Sequence, residues 1–321
     1  MHRRLYCIVA RQRVPSFPSS SHPLIPATQT TLKAFLNADG GNADAAKAAL
    51  TKAGFDLEAV QPGELEKSFK AAIDDGAKRI LVAGGDGTIA TAAALVANTD
   101  VELAILPAGT LNHFARDHGI PTDLDEAATV AASGVITGAD IGYANDSVFL
   151  NTSSIGAYVT FVRDRERLEK YVGYRIASLI AAVLTIYHLR TFAVTLEVEG
   201  VKKTYRSSLV FIGVGERELK MPTLGSRVRN GRRGLHLMIV KGHGKARLFT
   251  IALAAMAKGT REASKLPEFD NFVVDSCRID LHRSRATIGL DGELKKMQRP
   301  LDYKIERDAL RLVVPAPKEG E

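Results

Sequence analysis

The chain has 321 residues, 45% of them apolar and 25% charged, which suits a soluble globular protein of two ordinary domains. Its net charge is +7, but Arg3, Arg4, Arg11 and Arg13 place +4 in the first thirty residues; the remaining +3 argues against nucleic acid and is compatible with an anionic membrane surface. Two cysteines, Cys7 and Cys277, exclude a disulfide framework and suggest a cytoplasmic location, the longest uncharged apolar run (176–189) is too short to span a bilayer, and no HExxH or CxxC spacing suggests a metal site.

Residues 1–30 alternate prolines with serines and read as a disordered extension. From Thr31 onward the pattern is regular. Strands are expected at 32–37, 55–60, 79–83 and 102–106. Helices are expected at 43–53, 63–75, 88–97 and 111–118, several of them stopped by glycine. This alternation predicts an α/β fold with a doubly wound parallel sheet over residues 31–138.

After residue 138 the pattern changes. Strands are expected at 149–151, 191–199, 204–214, 235–240, 271–280 and 285–290, with helices at 161–189 and 246–258. A second, mostly antiparallel β-sandwich domain over 139–299 follows. The strand-like segments 301–306 and 309–314 suit a return to the first domain, at about 300–318. In the long helix Leu168, Val172, Ile176, Leu179, Val183 and Ile186 recur at steps of three and four. That stripe suits either plain core or the wall of an apolar cleft.

Two loops carry the chemistry. LVAGGDGT (81–88) and LPAGTLNHFAR (106–116) are each an apolar strand running into a glycine-bearing loop and then a helix. Glycines let backbone N–H groups approach an anion, and a helix start adds oriented donors. Gly84, Gly85 and Gly87 supply the first property and Thr88 is expected to open the helix. Loops at the carboxyl ends of adjacent parallel strands line one crevice. Asp86 there would sit beside a polyphosphate with Mg²⁺ or a donor network between them. Thr110 and Asn112 are candidates to position a nucleotide. The local alternative is a tight turn at GGDG with Thr88 as a helix cap.

GGDGT followed by LPAGTLNHFARDHGIP resembles the diacylglycerol kinase catalytic-domain family, and more narrowly the soluble bacterial lipid kinases related to sphingosine kinase. The resemblance extends more weakly over 31–315 and takes in Asp291-Gly292-Glu293, where the family has a DGE motif. The second loop separates this family from NAD kinases, which share GGDGT and the fold. The resemblance implies an ATP site formed by Gly84, Gly85, Asp86, Gly87, Thr88, Ile89, Gly109, Thr110 and Asn112, with Asn37 at the end of the first strand. It implies that Glu293 takes the proton of a lipid hydroxyl as that oxygen attacks the γ-phosphate, with Mg²⁺ beside ATP. Locally, Asp-Gly between two strands is also a strong hairpin signal.

This chain departs from the family pattern. Ala38-Asp39-Gly40 follows Asn37, where the family has Pro-x-Ser/Ala-Gly, and Ala90 and Thr91 stand where Asn-Glu is usual. His113 replaces an aspartate. The acidic loop that holds a structural Mg²⁺ in some members is matched by 230–237, where Arg232 and Arg233 stand in place of carboxylates. No protein-bound metal is expected there. Arg227, Arg229, Arg232 and Arg233 are left either solvated or facing phosphate.

The expectation is therefore a cytoplasmic, peripherally membrane-associated lipid kinase using Mg-ATP, with a lipid such as diacylglycerol as acceptor and no nucleic-acid partner. A homodimer is compatible with the sequence. The competing expectations are a kinase for a soluble acceptor such as NAD, and an inactive nucleotide-binding regulatory protein of the same fold.

Overall fold

Parallel strands buried on both faces need near-continuous apolar runs, and the first half of the chain supplies them at 33–37, 79–84 and 102–107, while 56–60 is an edge strand in which only Val60 is buried. β1 (Lys33–Asn37), β2 (Asp56–Val60), β3 (Arg79–Gly84) and β4 (Glu102–Pro107) pair in parallel in the order β2-β1-β3-β4. Helices Ala43–Lys52, Leu65–Asp74 and Asp86–Val96 cross between them. The computed structural model describes residues 32–38, 42–61, 63–218, 225–228, 230–242, 269–281 and 285–317. The expectations for residues 1–30, Asp39, Gly40, Arg229 and the helix at 246–258 lie outside them.

Two elements absent from the sequence expectation complete this part. Helix Leu124–Ser133 begins at Asp123, whose carboxylate accepts the Glu126 N–H at 3.0 Å. That capping arrangement was legible in the sequence. Strand β5 (Val135–Ala144) was not, because Gly138 and Gly142 interrupt its pattern. Both glycines mark close approach: a Cβ at Gly138 would strike Asp308, and one at Gly142 would strike the Phe149 ring.

The second half is antiparallel. β6 (Ser147–Phe149), β7 (Thr152–Gly156), β8 (Phe192–Val198), β9 (Val201–Val214), β12 (Leu235–Lys241), β13 (Phe269–Val274), β14 (Ser276–Leu281), β15 (Arg285–Leu290) and β16 (Glu293–Gln298) join the same sheet. β10 (Arg217–Glu218) and β11 (Ser226–Arg227) form a separate small ribbon. The single expected strand at 271–280 is two strands, β13 and β14.

One strand unites the halves. β17 (Leu301–Val314) pairs antiparallel with β14 and β5 and parallel with β4. It was expected as two strands; a bulge between Glu306 and Leu310, with Asp308 at φ 54°, joins them instead. Its first half places Leu301 and Tyr303 in a core shared with Phe149, Ile212 and Ile279. Its second half places Leu310 and Leu312 in another core, with Phe35, Leu81 and Leu106.

The long helix spans Ala157–Tyr187 and breaks at Gly173, which adopts φ 74° and ψ 163°. Arg165 lies 5.3 Å from the centre of the Tyr174 ring and ties the two pieces together across the break. No helix among the described residues is long and apolar enough to cross a membrane.

Candidate functional site

The two glycine loops touch. A Cβ on Gly109 would come within 2.5 Å of the Gly85 Cα, so Gly109 must be bare for the strand ends to approach this closely. The helix after the first loop starts at Asp86, with Gly85 as its N-cap. It therefore opens two residues before Thr88, which lies in the first turn. Gly84 has a packing role: a Cβ there would meet Thr88 Cβ at 2.6 Å. Thr88 is held in turn by the Asn37 side-chain amide, which donates to its hydroxyl at 3.0 Å.

Asp86 joins the loops chemically. Its carboxylate accepts the Phe114 backbone N–H at 3.2 Å, at the start of the short helix His113–Asp117. Asn112 adopts the left-handed conformation, φ 50°, and is buried. Its amide donates to the carbonyls of Pro107 (3.1 Å) and Gly109 (2.9 Å) and accepts the Gly109 N–H at 3.0 Å. These contacts lie within the second loop, so this side chain shapes the loop. Thr110 is exposed at the loop tip. Ile89 is fully buried and serves the core, while its N–H bonds to the Gly85 carbonyl.

The second half of the chain delivers Glu293 to this place. β15 and β16 form a hairpin whose two turn residues, Asp291 (φ 46°) and Gly292 (φ 92°), both take positive φ. Asp291 fastens that turn. Its carboxylate accepts the N–H groups of Leu150 (2.6 Å), Asn151 (2.8 Å) and Thr152 (2.8 Å), and its own N–H donates to the Thr152 carbonyl at 2.8 Å. Burial pushes this carboxyl above the usual carboxylate range, and the three N–H bonds offset part of that rise. Glu293, the next residue but one, reaches the first glycine loop. Its Oε1 lies where a Cβ on Gly87 would be.

A cavity of about 200 Å³ opens at this meeting point. It is lined by Asn37, Val60, Gln61, Leu65, Gly87, Thr88, Thr91 and Glu293. Of the residues expected at the site, Asn37, Gly87, Thr88 and Glu293 thus face one space. Gln61 and Leu65 join them from outside any recognisable motif, and Thr91 joins them from the position where the family usually has the Glu of Asn-Glu. A larger hollow of about 710 Å³ lies elsewhere, lined by residues such as Arg278, Arg299 and Asp302. None of the glycine-loop residues or Glu293 lines it, and two of its charges, Arg278 and Asp302, pair with one another.

Two arginines of this loop are committed to a buried carboxylate, although Arg232 and Arg233 both stay exposed. Arg227 and Arg233 both bind the buried carboxylate of Asp140, and Arg233 also binds Asp308 at 2.7 Å. Burial alone would raise the Asp140 carboxyl, but hydrogen bonds from Arg233 and the Asp308 N–H hold it below the usual range. Arg232 pairs with Glu216 at 3.6 Å. Sequence spacing could not reveal this, because Asp140 lies on β5, far away along the chain. Nearby, the buried Arg217 bonds to Asp117 at the end of the short helix, linking the second loop to the β-rich half. No cluster of three His, Cys, Asp or Glu side chains that could hold a metal occurs among the described residues.

Residues 32–144 match the family model for the diacylglycerol kinase catalytic domain. A protein named "Probable lipid kinase YegS-like" from Cronobacter sakazakii is 30% identical over 161 residues, 48% of this chain and 53% of its own length. A diacylglycerol kinase from Mycobacterium tuberculosis is 28% identical over 184 residues, 53% of this chain and 60% of its own length. The match therefore spans just over half of each of these relatives. The crystal structure of a diacylglycerol kinase from Bacillus anthracis str. Sterne aligns with a TM-score of 0.63 at 19% identity, covering 90% of this chain and 98% of that one. At that identity the structural likeness concerns the fold.

Proposed function

Proceeding from a diacylglycerol kinase catalytic domain over residues 32–144, we propose that this chain transfers the γ-phosphate of ATP to the hydroxyl of a lipid such as diacylglycerol, at a membrane surface. The observation that carries the proposal is the meeting of Glu293 with Gly87. A carboxylate from one core reaches the N-terminal turn of a helix in the other, beside two touching glycine loops.

The loops fit a nucleotide's phosphates. Gly109 packs against the Gly85 backbone, and the helix that opens at Asp86 presents its unpaired first N–H groups beside these loops. Glu293 accepts the proton of the acceptor hydroxyl as its oxygen bonds to the γ-phosphorus and the bond to the ADP oxygen breaks. Asp86 keeps the second loop seated through the Phe114 N–H, and Asn37 keeps Thr88 in place. Asp86 and Glu293 are the carboxylates here, fewer than the three ligands of a protein-built cage, which would suit a Mg²⁺ carried mainly by phosphates and water. Such an ion would neutralise phosphate charge.

The test is incubation with labelled ATP and a panel of lipids in detergent micelles. Label should enter a lipid, and Glu293→Ala and Asp86→Ala should lose that activity. Transfer to no lipid, transfer only to a soluble acceptor such as NAD, or wild-type rates in both variants would sink the proposal.

A further inference from the structure

The described residues expose eleven large hydrophobic side chains, and eight of them fall between Tyr171 and Tyr187. Scattered exposed apolar groups are ordinary, whereas a contiguous stripe marks a contact surface. Ile176, Leu179, Val183 and Tyr187 recur at steps of three and four, with Leu179 68% and Tyr187 69% exposed. On the opposite side of the same helical piece, Ala177 and Ala181 are fully buried. The apolar periodicity is therefore turned outward, while Ala177, Ala181 and the Thr185 hydroxyl face inward and Leu184 is half-buried.

The surroundings say what covers it. From Lys170 to Arg190 the chain carries Lys170, Arg175 and Arg190 and no acidic residue, and all three cations are exposed. Tyr171 and Tyr187 stand near the two ends of the stripe, where amphipathic rings mark a membrane–water interface. The piece after Gly173 is too short to span a bilayer but long enough to lie in its surface. The helix also begins beside the site: it packs on β7, β15 and β16, and a Cβ at Gly289 would meet Tyr158 at 3.4 Å.

From these observations we infer that the helical piece from Tyr174 to Tyr187 seats the protein on an anionic lipid bilayer. The stripe enters the acyl boundary and Lys170, Arg175 and Arg190 meet lipid phosphates. This deepens, and rests on, the lipid-kinase proposal, since the docked face leads to the hairpin bearing Glu293.

The chain contains no tryptophan, so Leu179→Trp reports from this helix alone. With phosphatidylcholine–phosphatidylglycerol vesicles and no ATP, its emission should shift to the blue and be quenched by brominated lipid. Leu179→Glu with Val183→Glu should weaken vesicle binding about tenfold or more, yet leave lipid phosphorylation in detergent micelles intact. Unshifted emission on vesicles overturns the inference. So does emission already blue without lipid: dependent on protein concentration, it means a second copy covers the stripe; independent of it, the chain's own residues do. Vesicle binding is read without turnover, so failure of the kinase proposal would appear separately, as absent micellar phosphorylation in both proteins.

Discussion

The side chain of Glu293 and the backbone of Gly87 occupy adjoining space, and a single methyl group on Gly87 would collide with the Glu293 carboxylate. Gly87 lies in the first turn of the helix Asp86–Val96, where the unpaired N–H groups attract negative charge. The carboxylate rests where an anion is favoured. The contact joins the two cores at the point where phosphate and acceptor would meet.

Gly87→Ala should therefore act through Glu293. The variant should lower lipid phosphorylation by about a hundredfold or more, comparable with loss of a general base. In a Glu293→Ala background the same substitution should add little. A double-mutant cycle on kcat checks this; fully additive losses would show that the two residues act independently.

Asp291 should support Glu293 without touching substrate. Asp291→Asn puts an NH₂ group against three N–H donors that now bind a carboxylate, and should cost about 2–4 kcal/mol of stability. Urea denaturation measures the loss. Among molecules that remain folded, kcat should fall more than ATP affinity, because the hairpin turn loosens while the glycine loops stay intact.

Asn112→Ala should release the second loop. Three hydrogen bonds disappear at a buried residue held at positive φ. A cost of about 2–3 kcal/mol follows, together with weaker ATP binding by calorimetry. Asn112→Gly relieves the backbone but not the bonds, so it should recover only part of the stability.

His118 sets a pH dependence. Burial, followed by the nearby Arg227 and Arg217 charges, lowers its pKa from 6.5 to about 4, against the opposing pull of Asp117 and Asp140. Its ring also packs on Phe114 at 4.6 Å. The unfolded chain takes up a proton near pH 6.5 and the folded one near pH 4. Stability should therefore fall as pH drops between these values, by up to about 3 kcal/mol from this group. His118→Gln should flatten that fall, while the buried His236, shifted in the same direction, keeps its own share in both proteins. Parallel stability curves from pH 7 to about pH 4.5 would refute the assignment.

Local signals in the sequence determined much of this molecule. The apolar runs before GGDGT and PAGT are parallel strands, the glycines between them do permit a close approach, and Asp291-Gly292 does turn a hairpin. These features rest on neighbours within a few residues, where period, glycine and capping rules operate. The tertiary structure alone decided which groups meet. Glu293 reaches Gly87 because Asp291 ties its hairpin to Leu150, Asn151 and Thr152. Arg227 and Arg233 both pair with the buried Asp140, and Arg233 also with Asp308, because β17 lies beside β5. The apolar stripe of the long helix was visible as a period of three and four, but a period names a face and not its partner. Only the packed alanines beneath it showed that the larger side chains look outward.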